Sequence, residues 1–118
     1  MSVTSFYISK GYTPSTKTTL INGLGTLSVW TPASGKRVIA TELAVSTNIG
    51  GTIAFYFDNA AQFKIAEYLL GASATIYPTI GQWESTAVGF GIIARVGASA
   101  TDGWRVNFTG FELEGTQF

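Results

Sequence analysis

The side chains available for chemistry in this chain are mainly carboxylates. Its 118 residues include no histidine and no cysteine, so the common nucleophile and base pairs and most transition-metal sites cannot be built. Glu112 and Glu114 lie two residues apart on one face of a predicted strand, where they could act as acid and base in glycoside hydrolysis or bind calcium. We favour a simpler interpretation, the polar face of a strand near the chain end, because the sequence places no partner acid beside them. We therefore predict no enzyme and no catalytic, metal-binding or cofactor-binding residues.

Two further motifs have a structural interpretation that we prefer to a functional one. Asp58-Asn59 could bind calcium, but this pair is also typical of a turn that follows a strand. Gly23-Leu24-Gly25 and Gly89-Phe90-Gly91 are not phosphate loops, because neither opens a helix and no lysine follows at the P-loop spacing. Two glycines on the outer face of one strand, Gly89 and Gly91, instead indicate a bend or a close approach of another chain segment.

Exposed aromatic rings are the other candidates for binding. Some of the large aromatic residues have the parity opposite to the predicted core, and such rings can stack on sugars or become buried in a protein interface. We favour core or interface positions, because the acids and amides that normally surround a sugar platform are not clustered near them. The residues concerned are Trp30, Tyr56, Tyr68, Trp83 and Trp104.

The composition favours a protein partner over nucleic acid or a membrane. Seven basic and seven acidic residues cancel, and without a basic run the chain has no electrostatic footprint for nucleic acid or an anionic membrane. Only 12% of the residues are charged while 46% are hydrophobic, so part of the surface is expected to be covered by another protein. The first residues, MSVTSFYISKGY, show no signal peptide, and no apolar segment approaches the ~20 residues of a membrane span.

The segment from Thr31 to Asp58 has the clearest pattern of secondary structure in the sequence. It predicts two long strands with a period of two, one with Ile39, Leu43 and Val45 on one face, joined by a turn at Asn48-Ile49-Gly50-Gly51. Paired glycines supply the positive φ angles of a tight connection, so we expect these strands to form a hairpin that packs on a second sheet.

The rest of the chain is also predicted to consist of short strands separated by turns. Residues 2–9 alternate weakly and predict an edge strand or an arm. Gly23-Leu24-Gly25 is expected to reverse the chain, Pro78 to end a short strand, and residues 79–86 to form the longest loop. The other predicted strands are Thr16–Asn22, Thr26–Thr31, Phe63–Leu70, Ser73–Tyr77, Val88–Val96 and Trp104–Glu114.

The closing strand changes parity near its end. Val106 and Phe108 share one parity, whereas Phe111 and Leu113 have the other. We predict a β-bulge at Gly110 that lets all four side chains point into the core.

The chain is therefore predicted to be all-β: a two-sheet antiparallel sandwich of eight or nine strands, with jelly-roll topology favoured. At 118 residues it is predicted to be a single domain over residues 1–118, with residues 1–12 as an arm or edge strand.

Four segments carry a resemblance to a known class of protein. They are TPASGKRVIATELAVST, GGTIAFYFD, KIAEYLLGASATIYP and WRVNFTGFELEG, which cover most of the chain from Thr31 onward. This layout resembles small jelly-roll structural proteins of tailed bacteriophages, of the capsid-decoration or head-fibre type, and more loosely tail-fibre and baseplate modules. The resemblance implies a non-enzymatic virion component, often trimeric, attached to a capsid lattice or fibre.

Two functional hypotheses follow. The first is a virion decoration or cement protein, made in the host cytoplasm, whose partners are further copies of itself in a homotrimer and a major capsid or other virion protein. The alternative is a carbohydrate-binding module, free or displayed on a virion fibre. Binding to a glycan array that is lost on Trp83→Ala or Trp30→Ala would favour the alternative.

Overall fold

A computed structural model describes residues 2–21, 25–58, 64–85, 88–96 and 103–114, which form two antiparallel sheets and one short helix. The elements are α1 (Val3–Ser9), β1 (Ser15–Ile21), β2 (Gly25–Trp30), β3 (Lys36–Thr47), β4 (Gly51–Phe57), β5 (Lys64–Leu70), β6 (Ala74–Ile76), β7 (Trp83–Glu84), β8 (Ile92–Val96) and β9 (Trp104–Glu114). The predicted strands after residue 15 are confirmed within about one residue, except that only Ile92–Val96 of the predicted strand Val88–Val96 is a strand. The segment predicted as the longest loop also contains the two-residue strand β7. The predicted reversal at Gly23-Leu24-Gly25 falls on residues 22–24, which lie outside the described residues, so only the Gly25 end of it is seen.

The strands are divided between the two sheets in the way typical of a jelly roll. One sheet has the order β1-β9-β3-β6, with β7 also paired to β3, and the other has the order β2-β8-β4-β5. The first strand thus pairs with the last, and successive strands from β1 to β4 alternate between the sheets, so the connections wrap around the core. The predicted all-β sandwich is confirmed.

The expected central hairpin is wrong, because β3 and β4 lie in different sheets. β3 pairs with β6, β7 and β9, whereas β4 pairs with β5 and β8. The glycines between them do have positive φ angles, 81° at Gly50 and 128° at Gly51, but they turn the chain from one sheet to the other. Alternation shows which side chains face the core, and it does not show which strands pair.

The core lies between the sheets and takes alternate side chains from both. Phe55, Ile53, Phe108 and Val106 are fully buried there. Phe55 lies edge-to-face on Phe108 with ring centroids 5.5 Å apart, so the aromatic side chains of β4 and β9 meet in the middle of the sandwich.

The bulge that the sequence predicts at Gly110 lies on β3 instead. β9 pairs with β1 without interruption, while the β3–β9 register shifts between Ala40 and Glu42, so that Thr41 is the extra residue. Phe111 and Leu113 consequently face away from the main core and form a second cluster with Ile39 and Tyr7. The prediction that all four apolar side chains of β9 share one core is wrong.

Residues 3–9 form α1, which corrects the predicted edge strand. The Ser2 hydroxyl caps the helix by accepting a hydrogen bond from the Ser5 amide at 3.0 Å. Val3 and Tyr7, four residues apart, lie on one helical face and pack on the outer side of the β3–β9 sheet, where Tyr7 lies 5.0 Å from Phe111 between ring centroids. Among the described residues, α1 is the single helix, and its seven residues are too few to cross a membrane.

Candidate functional site

Glu112 joins the two sheets through one carboxylate. Its Oε2 accepts a hydrogen bond from the Trp30 indole at 2.9 Å, and its Oε1 accepts one from the Ala33 amide at 2.8 Å. Burial raises the pKa of this carboxyl, but the two hydrogen bonds, with Lys17 and Lys36 nearby, lower it by more, so the pKa lies below its usual value. Both oxygens are thus engaged in holding β2 and the following loop against β9.

The other acidic candidates, Glu114 and Asp58, lie at exposed positions at the ends of strands. Glu114 is exposed at the end of β9 opposite Lys36. Asp58 is exposed, and its amide donates to the Gly91 carbonyl at 2.9 Å, whereas Asn59 lies outside the described residues. Among the residues that the structure describes, no three acidic side chains are grouped as a metal site would require.

The tryptophans proposed as a sugar platform belong to the core. Trp30 and Trp104 are each 1% exposed. Trp83 is half-buried, with ring centroids 5.7 Å from Phe55 and 5.8 Å from Phe108. Core positions are therefore confirmed for these rings, and Trp30→Ala would remove core packing instead of probing a sugar site. The carbohydrate-binding alternative stays a prediction, and a sugar would have to stack on an aromatic ring other than these three.

The two tyrosines of that set lie on the second sheet. The Arg95 guanidinium lies over Tyr56, 5.1 Å from the ring centroid, and Tyr68 packs edge-to-face on Phe55 at 6.2 Å. Burial raises the pKa of Tyr68. Each ring has a packing partner, and both residues are half-buried.

A buried ion pair that sequence reasoning missed fixes β7 to β3. Arg37 is 2% exposed, and its Nη1 donates to Glu84 Oε2 at 2.7 Å. Ser85 Oγ accepts from the Val38 amide at 3.0 Å. Burial and the neighbouring Glu84 carboxylate raise the pKa of Tyr7. Arg37 and Glu84 are 47 positions apart in the chain. Their proximity therefore comes from tertiary structure, and no local sequence pattern predicts it.

The close approach predicted at Gly89 and Gly91, which precede β8, is confirmed at Gly91. A Cβ at this position would lie 2.0 Å from the carbonyl oxygen of Trp30, so a side chain there is excluded. Gly89 instead turns the chain with a φ of 88°. The two glycines thus have different roles, one for a backbone contact and one for a positive φ angle.

Three exposed aliphatic side chains lie at one end of the sandwich, and a group of charged side chains lies at the other. We name the apolar end by its described residues, 20–21, 46–53, 69–75 and 103–105; within these ranges Arg105 is the one charged residue. Leu20, Ile49 and Leu69 are exposed there by 55%, 44% and 81%. The charged end, at the other ends of the same strands, carries Lys36, Arg37, Glu84, Glu112 and Glu114.

Comparison with known proteins identifies the fold and no family. No protein-family model and no curated protein matches the chain. One similar solved structure comes from the report "Bacillus endospore appendages form a novel family of disulfide-linked pili", with 12% identity, 87% of this chain and 91% of that chain covered, and a TM-score of 0.51. Another is the cyanophage Pam1 capsid asymmetric unit, with 18% identity, 84% and 83% covered, and a TM-score of 0.49. A family 29 carbohydrate-binding module gives 13% identity, 91% and 83% covered, and a TM-score of 0.39.

Proposed function

We propose that this protein is a non-enzymatic structural component of a bacteriophage virion, a capsid decoration or cement protein. In this proposal it associates with copies of itself as a homotrimer and binds a major capsid or other virion protein. The observation that carries the proposal is the apolar end, because it presents large aliphatic side chains to water in a chain with few charges to keep it soluble.

The composition of the apolar end suits a protein interface. Interface centres are depleted of charged residues, and the described part of this end has only Arg105. Fully burying a leucine contributes on the order of 1.5–3 kcal/mol, and Leu20 and Leu69 are both mainly exposed. Contact with a neighbouring subunit or a shell protein would remove this apolar surface from water.

The fold is compatible with the proposal but does not distinguish it from other functions, because one fold serves many functions. The spore-appendage structure, described as disulfide-linked pili, shares the fold. This chain has no cysteine, so it cannot form such disulfides. In our proposal the exposed aliphatic side chains supply the contacts between subunits.

The proposal is tested by placing a charge on the apolar end. Sedimentation velocity should show the wild-type protein as a homotrimer, and Leu69→Asp should sediment as a monomer that keeps the β-sheet circular dichroism of the wild type. The physical reason is that an interface centre would have to bury an unpaired carboxylate. Ser34→Asp, which adds the same charge to an exposed loop at the charged end, is the matched control and should stay trimeric.

The shell contact has its own measurement. Wild-type protein mixed with phage capsids that lack their decoration protein should cosediment with the particles, and Leu69→Asp should cosediment less. A wild-type chain that is a stable monomer and binds no phage particle would contradict the proposal.

A further inference from the structure

A groove on the outer face of the β3–β9 sheet has features that the assembly role does not use. It lies between the start of α1 and the segment of residues 77–81, and its volume is about 440 Å³. This volume falls within the ~300–1,000 Å³ typical of small-molecule sites. The groove lies on a sheet face, and Leu20, Ile49 and Leu69 of the apolar end are not among the residues that line it.

Tyr77 stands at the wall of this groove with its side chain 76% exposed. It directly follows β6, and Pro78 restricts its backbone to extended conformations. Ile80 packs against the main core, so the segment that carries Tyr77 is anchored on both sides. A large ring is thus held in solvent on a backbone with little freedom, which lowers the entropy that a ligand contact would lose.

Hydrogen-bonding groups gather across the groove from the ring. The Thr4 hydroxyl lies 2.7 Å from the Thr41 hydroxyl and donates to Glu42 Oε2. Glu42 is exposed, and Thr79 lines the groove as well. Thr4 donates its proton to Glu42, and the Thr41 hydroxyl donates to the Thr109 carbonyl at 3.2 Å. The carboxylate of Glu42 therefore supplies the acceptor for a ligand, and the Thr79 hydroxyl supplies a donor.

The bulge on β3 produces this grouping. Because Thr41 is the extra residue in the β3–β9 ladder, Thr41 and Glu42 both reach the groove instead of pointing to opposite faces of a regular strand. Bulges commonly redirect side chains next to binding sites. The groove therefore combines an open aromatic face, a carboxylate and several hydroxyls.

We propose that this groove binds a carbohydrate, with the Tyr77 ring stacked on one apolar face of a pyranose and Glu42 accepting hydrogen bonds from its hydroxyls. A sugar ring has an apolar C–H face and a rim of hydroxyl groups, and the groove offers an aromatic surface beside acceptors and donors. A second protein is the less suitable ligand, because protein interfaces centre on flat apolar contacts with few charges, and here the ring stands beside an exposed carboxylate. The site is separate from the proposed assembly surface and does not depend on it.

Saturation-transfer NMR with the methyl glycosides of glucose, galactose, mannose and N-acetylglucosamine, together with a printed glycan array, tests the proposal. The wild-type protein should bind at least one of these sugars or arrayed glycans. Tyr77→Ala should weaken that binding about ten-fold or more, as expected from loss of a stacking partner. Tyr77→Phe keeps the ring and should stay within about three-fold of wild type, and Glu42→Gln should weaken binding because the charged acceptor is lost.

Leu27→Ala is the matched control, since this residue is exposed by 40%, lies on the other sheet in β2 and is not part of the apolar end. It should leave sugar binding unchanged. Wild-type protein that binds no sugar in either assay would overturn the proposal, and so would sugar binding that survives Tyr77→Ala. Loss of particle binding or trimer formation in Tyr77→Ala, without any sugar binding by wild type, would overturn it in favour of a protein interface.

Discussion

At the scale of single residues, Glu112 shows how a candidate catalytic group can have a structural task. The sequence offered it as one member of a carboxylate pair, and its contacts to Trp30 and Ala33 place both of its oxygens between the two sheets. Charge-assisted hydrogen bonds of this kind are stronger than neutral ones. The side chain therefore connects β9 to the far end of β2.

Glu112→Gln is expected to lower the free energy of unfolding at neutral pH by about 1–2 kcal/mol, because the amide keeps one acceptor oxygen and loses the charge. Urea unfolding at pH 7 measures the loss. Glu67→Gln is the control, since Glu67 pairs with Lys64 on the exposed edge strand β5, and removing an exposed pair should change stability by less than about 1 kcal/mol. Equal effects of the two substitutions would show that the contacts of Glu112 add nothing to folding.

The same carboxyl predicts a pH dependence of defined sign. Its pKa in the folded protein lies below the value of 4.5 for an unperturbed glutamate, so its ionised form stabilises the fold. That contribution is complete above about pH 4.5 and is lost as the pH falls through the folded pKa. The difference in melting temperature between wild type and Glu112→Gln should therefore shrink on acidification, and a difference that grew would contradict the hydrogen-bonding role.

At the scale of elements, β3 and β9 share one irregularity that the sequence placed on the wrong strand. The parity change between Phe108 and Phe111 is real, and it places these residues on opposite faces of a regular β9. The extra residue, Thr41, lies on the partner strand. A change of parity in one strand is equally compatible with a bulge in it or with a second apolar surface on its other face, and α1 supplies that second surface.

Gly110 is required by the neighbouring backbone and not by its own conformation. A Cβ there would lie 2.1 Å from the carbonyl oxygen of Ile39, and this oxygen belongs to the backbone of β3. Gly110→Ala should therefore lower the free energy of unfolding by about 2 kcal/mol or more, since one of two central strands must shift. Gly71→Ala is the matched control, because nothing lies within 4 Å of its added Cβ, and it should be close to neutral. Urea unfolding of the two variants compares them, and equal stability would contradict the close contact.

At the scale of the whole molecule, the two ends of the sandwich differ in charge. The connections β3–β4 and β5–β6 lie at the apolar end, while β7 and the start of β3 bring Arg37 and Glu84 together at the charged end. An assembly formed through the apolar end would be held by apolar burial and would leave the charged end in solvent.

Self-association is therefore expected to depend little on ionic strength. Raising the salt ten-fold, from about 0.1 M to 1 M, shortens the Debye length from about 10 Å to 3 Å and weakens exposed charge pairs. Sedimentation at the two salt concentrations should give the same oligomer. Dissociation at the higher concentration would show that charge pairs hold the assembly.

The sequence by itself determined that the chain is a β-sandwich, where most strands begin and end, and which side chains of β4, β8 and the first half of β9, up to Phe108, face the core. These properties follow from a period of two and from turn residues, and both are local. Gly91 was also within reach, because an unexplained glycine inside a strand indicates a close approach.

Tertiary structure alone decided which strands pair, where the bulge lies, and what covers Phe111 and Leu113. β3 pairs with the strand that completes the core between the sheets. That strand is β9, which is 65 positions away at the Leu43–Phe108 pair, and not the adjacent β4. Residues 3–9 alternate weakly as a strand would, yet Val3 and Tyr7 can cover the second cluster only at a helical spacing of four. The candidate groove beside Tyr77 depends on all three decisions, because α1, the bulge at Thr41 and the segment after β6 meet only in the folded chain.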